Sequence, residues 1–81
     1  MQTYTYTVTV AEGDEQSSTS FNVLASGQDG ALEWGDKLAR RMCSSKGRQM
    51  IHSEVSAAGQ MGTSLPMVIY GHYATDEEIG W

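Results

Sequence analysis

From Thr3 to Val10 the chain alternates strictly, with Tyr4, Tyr6, Val8 and Val10 on one side and Thr3, Thr5, Thr7 and Thr9 on the other. A period of two built from strong strand formers predicts a strand with one packed face and one wet face. So polar a second face points to an antiparallel sheet covered on one side only, because strands buried on both faces read as continuous apolar runs. Ala11 to Ser18, rich in Gly, Asp and Ser, reads as a hairpin loop. The alternation then resumes through Thr19, Phe21 and Val23 as a second strand.

The period changes after Leu24. Ser26 with Asp29 three residues later has the form of a capping box and places a helix start near Gly27. Beyond it Ala31, Leu32, Trp34, Gly35, Leu38, Ala39 and Met42 project into one arc, opposite Glu33, Asp36, Lys37 and Arg40. A helical stop is expected between Ser44 and Gly47. Gln49 to Ala57 suits two readings, since Ile51 and Val55 fit a helix at i,i+4 and one face of a strand with Ser53 between them; the strand is preferred. "AAGQMGTSLP" reads as a connection and Met67 to Tyr73 as a strand that Pro66 can open without loss of a ladder bond. Thr75 to Glu78 again has the capping-box form, so a last helical turn is expected to place Ile79 and Trp81 over a sheet edge or an end of the core. The order is β-β-α-β-β. It predicts a two-layer α+β fold over 1–81, an antiparallel sheet of about four strands with one helix packed across it.

Length and composition fit that picture without enlarging it. Eighty-one residues hold one core and have no room for a second. Hydrophobic residues at 40%, charged residues at 19% and a single proline belong to a folding chain rather than a disordered one. The lone Cys43 can form no internal disulfide, which suits a reducing compartment, so the cytoplasm is the expected location. No basic stretch leads into an apolar run, and no window approaches the roughly 18 apolar residues of a membrane span, so neither export nor insertion is expected.

Charge adds more. The net charge of -5 opposes general affinity for nucleic acid, whose phosphates need a basic face. Yet all five basic side chains, Lys37, Arg40, Arg41, Lys46 and Arg48, fall in one acid-free stretch. Lys37, Arg40 and Arg41 suit the negative carboxyl end of the helix, as Asp29, Glu33 and Asp36 suit its start. Glu33 with Lys37 and Asp36 with Arg40 are acid-before-base pairs at i,i+4. Lys46 and Arg48 lie beyond the expected stop and are not explained by the helix. Two acidic clusters stand apart, Glu12, Asp14 and Glu15 in the first hairpin and Asp76, Glu77 and Glu78 near the carboxyl terminus. If the first and fourth strands are close, both clusters can form one acidic surface, with the basic block at another end, and such a bipolar surface suits docking.

Candidate chemistry is sparse. Cys43 would need His52 or His72 as a base, but it sits at the margin of the apolar arc near a helix carboxyl end, which raises a thiol pKa. His52 and Glu54 share a face of a strand, and His72 could complete a three-ligand metal site, with no fourth group in view. Gly27 to Gly30 and Gly59 to Gly62 lack the spacing and the lysine of a phosphate loop. Tyr4, Tyr6, Tyr70 and Tyr73 are interleaved with Thr, Gly and His rather than with cations, which favours packing or a protein interface over base stacking. Neither cofactor nor metal is expected, and no enzymatic activity.

The "TYTYTVTV" strand followed by an acidic hairpin, on a small acidic single-domain chain, resembles the anti-CRISPR proteins of phages in size and organisation across all 81 residues. The resemblance implies an inhibitor that docks on a CRISPR surveillance complex of the Cascade type and blocks target DNA binding or nuclease recruitment, in the cytoplasm of a host cell. It carries no shared site motif. The expected contact residues are therefore those the charge pattern offers, Glu12, Asp14, Glu15, Asp76, Glu77 and Glu78, in a monomer or a homodimer. The alternatives are a nucleic-acid-binding module using Lys37, Arg40, Arg41, Lys46 and Arg48 as a phosphate-contacting strip, or a small adaptor.

Overall fold

In the computed structural model of the protein, which describes residues 1–58 and 64–79, the alternating amino-terminal segment is the long central strand β1 (Gln2–Glu12). It pairs antiparallel with β2 (Glu15–Ala25) in an unbroken register from Gln2 opposite Ala25 to Glu12 opposite Glu15. The segment read as a loop is thus mostly ladder, and only Gly13 and Asp14 turn. Gly13 has φ 63°, the positive value that a two-residue hairpin turn with glycine first requires. The outer rungs lie beyond the cover of the helix, so both faces are polar there and the sequence shows no alternation.

Helix α1 (Gln28–Lys46) lies across the face that carries Tyr6, Val8, Val10, Phe21, Val23 and Ala25, and turns Ala31, Trp34, Gly35, Leu38, Ala39, Met42 and Cys43 toward it. The Tyr6 and Phe21 rings meet at 5.0 Å between centroids, at the centre of this core. The capping box does not form. The N-cap is Gly27, which has no side-chain oxygen to offer; its carbonyl accepts from the Ala31 amide at 3.1 Å, and Asp29 acts in the first turn through its charge alone. The helix stops within the expected window of Ser44 to Gly47, late enough to take in Lys46. Lys46 lies in its last turn, Gly47 adopts the left-handed conformation (φ 69°), and the Arg48 amide donates to Cys43 O at 3.0 Å.

The ambiguous segment is a strand. β3 (Gln49–Ala57) pairs antiparallel with β1 on the side away from β2. A bulge sets Thr9 opposite His52 but Val10 opposite Met50, so Ile51 is the extra residue and stays 49% exposed, while Ser53 and Val55 stand opposite Val8 and Tyr6 on the helix side.

β4 (Met67–Ile69) pairs with β2, and parallel to it: Asn22, Val23 and Leu24 stand opposite Met67, Val68 and Ile69. The sheet is therefore mixed, in the order β3-β1-β2-β4, and only β1 runs against the other three. The fold is the four-stranded, one-helix α+β arrangement expected from the sequence, with this one pairing reversed. Pro66 opens β4 as anticipated, its carbonyl accepting from the Asn22 amide at 2.8 Å. The strand stops at Ile69 rather than Tyr73, because Gly71 (φ 86°) turns the chain and the His72 amide closes on Ile69 O at 2.9 Å. Residues 70–75 then run beside α1 into the short α2 (Asp76–Ile79), where Thr75 Oγ1 accepts from the Glu78 amide at 3.2 Å and Ile79 is buried. The expectation for Trp81 falls outside the described residues. Among the described residues no helix is long and apolar enough to cross a membrane.

Candidate docking surface

The flank of α1 facing residues 70–77 is built on Trp34, Lys37 and Arg41, which the helical repeat places in one line at i, i+3 and i+7. Trp34 is only 6% exposed, and its indole N–H donates to His72 O at 3.2 Å, which ties the returning segment to the helix. The Tyr70 and Tyr73 rings pack on the indole at 5.5 and 5.3 Å between centroids. Two cations lie over this cluster. Lys37 Nζ is 5.8 Å from the Trp34 ring, and the Arg41 guanidinium is 5.0 Å from the Tyr73 ring. At the other end the Tyr70 hydroxyl points to Glu33 Oε2 at 3.5 Å.

Behind this buried anchor the outer rings remain available, Tyr73 at 61% and Tyr70 at 40% exposed, while the exposed Met67 and Ile69 of β4 lie on the sheet face away from α1, since Val68 between them packs into the core. Arg41, Met42, Ser45, Tyr73, Ala74, Thr75 and Glu77 line a groove of about 640 Å³ that continues from the rings toward α2. The result is an aromatic strip that is rigid at its base, exposed at its rim, and edged by charges of both signs.

The charge blocks read from sequence are partly interleaved in space. β2 stands between β1 and β4, so the first and fourth strands are not neighbours in the sheet. Glu12 at the hairpin tip pairs with Arg48, Nε to Oε2 3.3 Å, since β3 begins beside the end of β1 with Gln49 opposite Ala11. Asp14 and Glu15 are exposed beside it; Glu77 shares its groove with Arg41, Glu78 is exposed nearby, and Asp76 opens α2. The basic strip is likewise divided. Lys37 and Arg41 lie on aromatic rings, Lys46 is in the last helical turn, Arg48 meets Glu12, and Arg40 lines a groove on the opposite flank with Asp36.

That opposite groove, about 610 Å³ between α1 and β3, also takes in Cys43, Arg48 and His52. Cys43 is buried, and burial pushes its thiol pKa up against a smaller opposing pull from Arg48, so the sulfur is held protonated. His52 Nε2 stands 3.9 Å from Glu54 Oε2 with both side chains exposed. His72 follows β4 at the other edge of the sheet, so these three ligand candidates are not brought together, and no group of three His, Cys, Asp or Glu able to hold a metal occurs among the described residues.

The sequence assigns Tyr70 and Tyr73 to packing or a protein interface and Trp34 to the apolar face of the helix, without joining them in one set. The signal lay in Trp34, Lys37 and Arg41 at helical spacing, with two tyrosines flanking Gly71 where a strand could not continue. No protein-family model matches the chain, and neither the curated proteins nor the solved structures contain a match to it.

Proposed function

We propose that the protein is a small binding protein that acts by occupying a surface on a larger protein, through the aromatic strip that α1 shares with residues 70–77. The observation that carries this reading is Tyr73, a largely exposed ring fixed between Trp34 and the Arg41 guanidinium. Aromatic and arginine side chains supply most of the energy of protein interfaces, and a ring already immobilised loses little entropy when it docks. The acids Glu33 and Glu77 beside the strip restrict it to partners with matching charge. The resemblance to anti-CRISPR proteins supplies the partner class, a CRISPR surveillance complex, and the outcome, loss of target DNA binding or of nuclease recruitment.

The test is capture of a purified surveillance complex by the wild-type protein, by Tyr73→Ala with Arg41→Ala, and by a variant with Asp76, Glu77 and Glu78 changed to Lys. Loss of capture in the first variant supports the strip, and loss only in the second moves the contact to the acidic cluster. No capture by the wild type removes the partner.

A second reading rests on the same residues. Tyr70 and Tyr73 beside Lys37 and Arg41 form a combination that can stack bases and contact phosphates. A gel shift on single-stranded nucleic acid that weakens steeply with salt decides in its favour, and no shift at low salt decides against it.

A further inference from the structure

We propose that β3 is a self-association edge, along which two copies of the chain join antiparallel to make one continuous sheet. The inference does not rest on the docking strip, which lies at the opposite edge of the sheet.

β3 ends the sheet order and has β1 on one side only. The Ala58 amide donates to Thr3 O at 3.2 Å, so by the alternation of an antiparallel ladder residues 52, 54 and 56 also turn their backbone groups to β1, and Ser53, Val55 and Ala57 turn theirs outward. One outward group confirms the phase: Val55 O accepts from the Gln28 side-chain amide at 3.3 Å instead of from a strand. A row of outward amides and carbonyls is a template for another chain, and edges are ordinarily blunted by lysine, proline or extreme shortness. β4 has two of these devices, being three residues long and opened by Pro66. β3 is nine residues long and has no Lys, Arg or Pro, and the bulge at Ile51, near its start, is its one device of this kind.

A second copy is the occupant that the side chains match. Antiparallel pairing of β3 with itself about a two-fold axis overlaps fully only when the axis passes through Ser53, the midpoint of Gln49–Ala57. Ser53 is also an outward-facing position, so it can exchange two backbone hydrogen bonds with its own copy. In that register His52 stands opposite Glu54 of the second copy, and Glu54 opposite its His52, so the face away from the helix carries two cross-strand imidazole–carboxylate pairs. Ile51, half-exposed in the single chain, faces Val55 of the other. On the helix face Asp36 and Arg40 line the groove that includes Ile51 and Ser53, and the same axis sets this acid–base pair against its inverted copy. A shift of the axis to Val55 leaves His52 and Glu54 without these partners.

Sedimentation velocity of the full chain over a concentration series up to about 0.1 mM, a range in which modest interfaces populate, reads the result. The wild type is expected to pass from monomer to dimer. Ser53→Pro removes an outward donor that β1 does not use and is expected to abolish the dimer with the circular dichroism spectrum intact. His52→Glu sets carboxylate against carboxylate and weakens the dimer about tenfold, and the exchange His52→Glu with Glu54→His restores it. A wild type that stays monomeric throughout overturns the proposal, as does a dimer indifferent to the His52 and Glu54 variants. If Ser53→Pro fails to fold, the charge exchange alone decides.

Discussion

The ring of Tyr6 lies against Gly35 of the helix so closely that a Cβ at that position would stand 2.6 Å from its Cγ and Cε2 atoms. The same ring sends its hydroxyl past the helix to donate to Asp36 Oδ1 at 2.7 Å. Glycine in a helix interior is unfavourable by about 1 kcal/mol relative to alanine, and here that cost lets the helix seat on the sheet.

Gly35→Ala is therefore expected to destabilise the protein despite improving the helix. A methyl group forced against a wholly buried ring costs about 1–3 kcal/mol in an overpacked core. The urea midpoint of the variant should fall; an unchanged or higher midpoint would show that the helix can rise off the sheet without loss.

Burial, with the Asp36 carboxylate beside it, holds the Tyr6 phenol well above its ordinary pKa, which is near 10. The folded state keeps this proton where the unfolded state releases it. Stability from this group is complete below about pH 10 and declines above it by up to about 1.4 kcal/mol per pH unit. Denaturant titrations between neutral pH and pH 11 should show this decline. Tyr6→Phe, less stable at neutral pH for want of the Asp36 bond, should lose the Tyr6 share of the slope.

Tyr73→Ala separates binding from folding. The ring is 61% exposed, so its loss should cost about 1 kcal/mol or less in stability, while capture of the partner falls by tenfold or more. Trp34→Ala should lower both, since it removes the buried base on which the two tyrosines rest, at about 3–5 kcal/mol.

Cys43 should be silent in the native state. Its buried, protonated thiol is expected to react with a disulfide reagent only as fast as the protein opens, and at full rate in denaturant. Rapid native-state labelling would instead mark the α1–β3 groove as a place where a thiolate is maintained.

Much of the architecture was legible because burial was one-sided. Thr3 to Val10 alternates since α1 covers one face of β1, and the helix arc from Ala31 to Met42 is the complement of that face. Where cover ends, legibility ends: Glu12 to Ser18 pairs as strand with little cover on either side, and only its backbone records this. The direction of β4 was hidden because three residues look the same in parallel and antiparallel ladders. The charge pattern is legible along the chain but not in space: β3 begins beside the end of β1, which brings Arg48 to Glu12. The Trp34, Tyr70 and Tyr73 cluster joins residues far apart in sequence, and only the turn at Gly71 brings them together.

β4 is anchored by three ladder positions, whereas the β1–β2 hairpin has eleven. Amide hydrogens at 68 and 70, which face β2, should accordingly exchange with solvent through local opening, at rates insensitive to mild denaturant, while those of Tyr6 and Val8 wait for global unfolding. The rings offered to a partner thus follow the least cooperative strand of the sheet, and complex formation should appear as slowed deuterium uptake there, far from the protected centre.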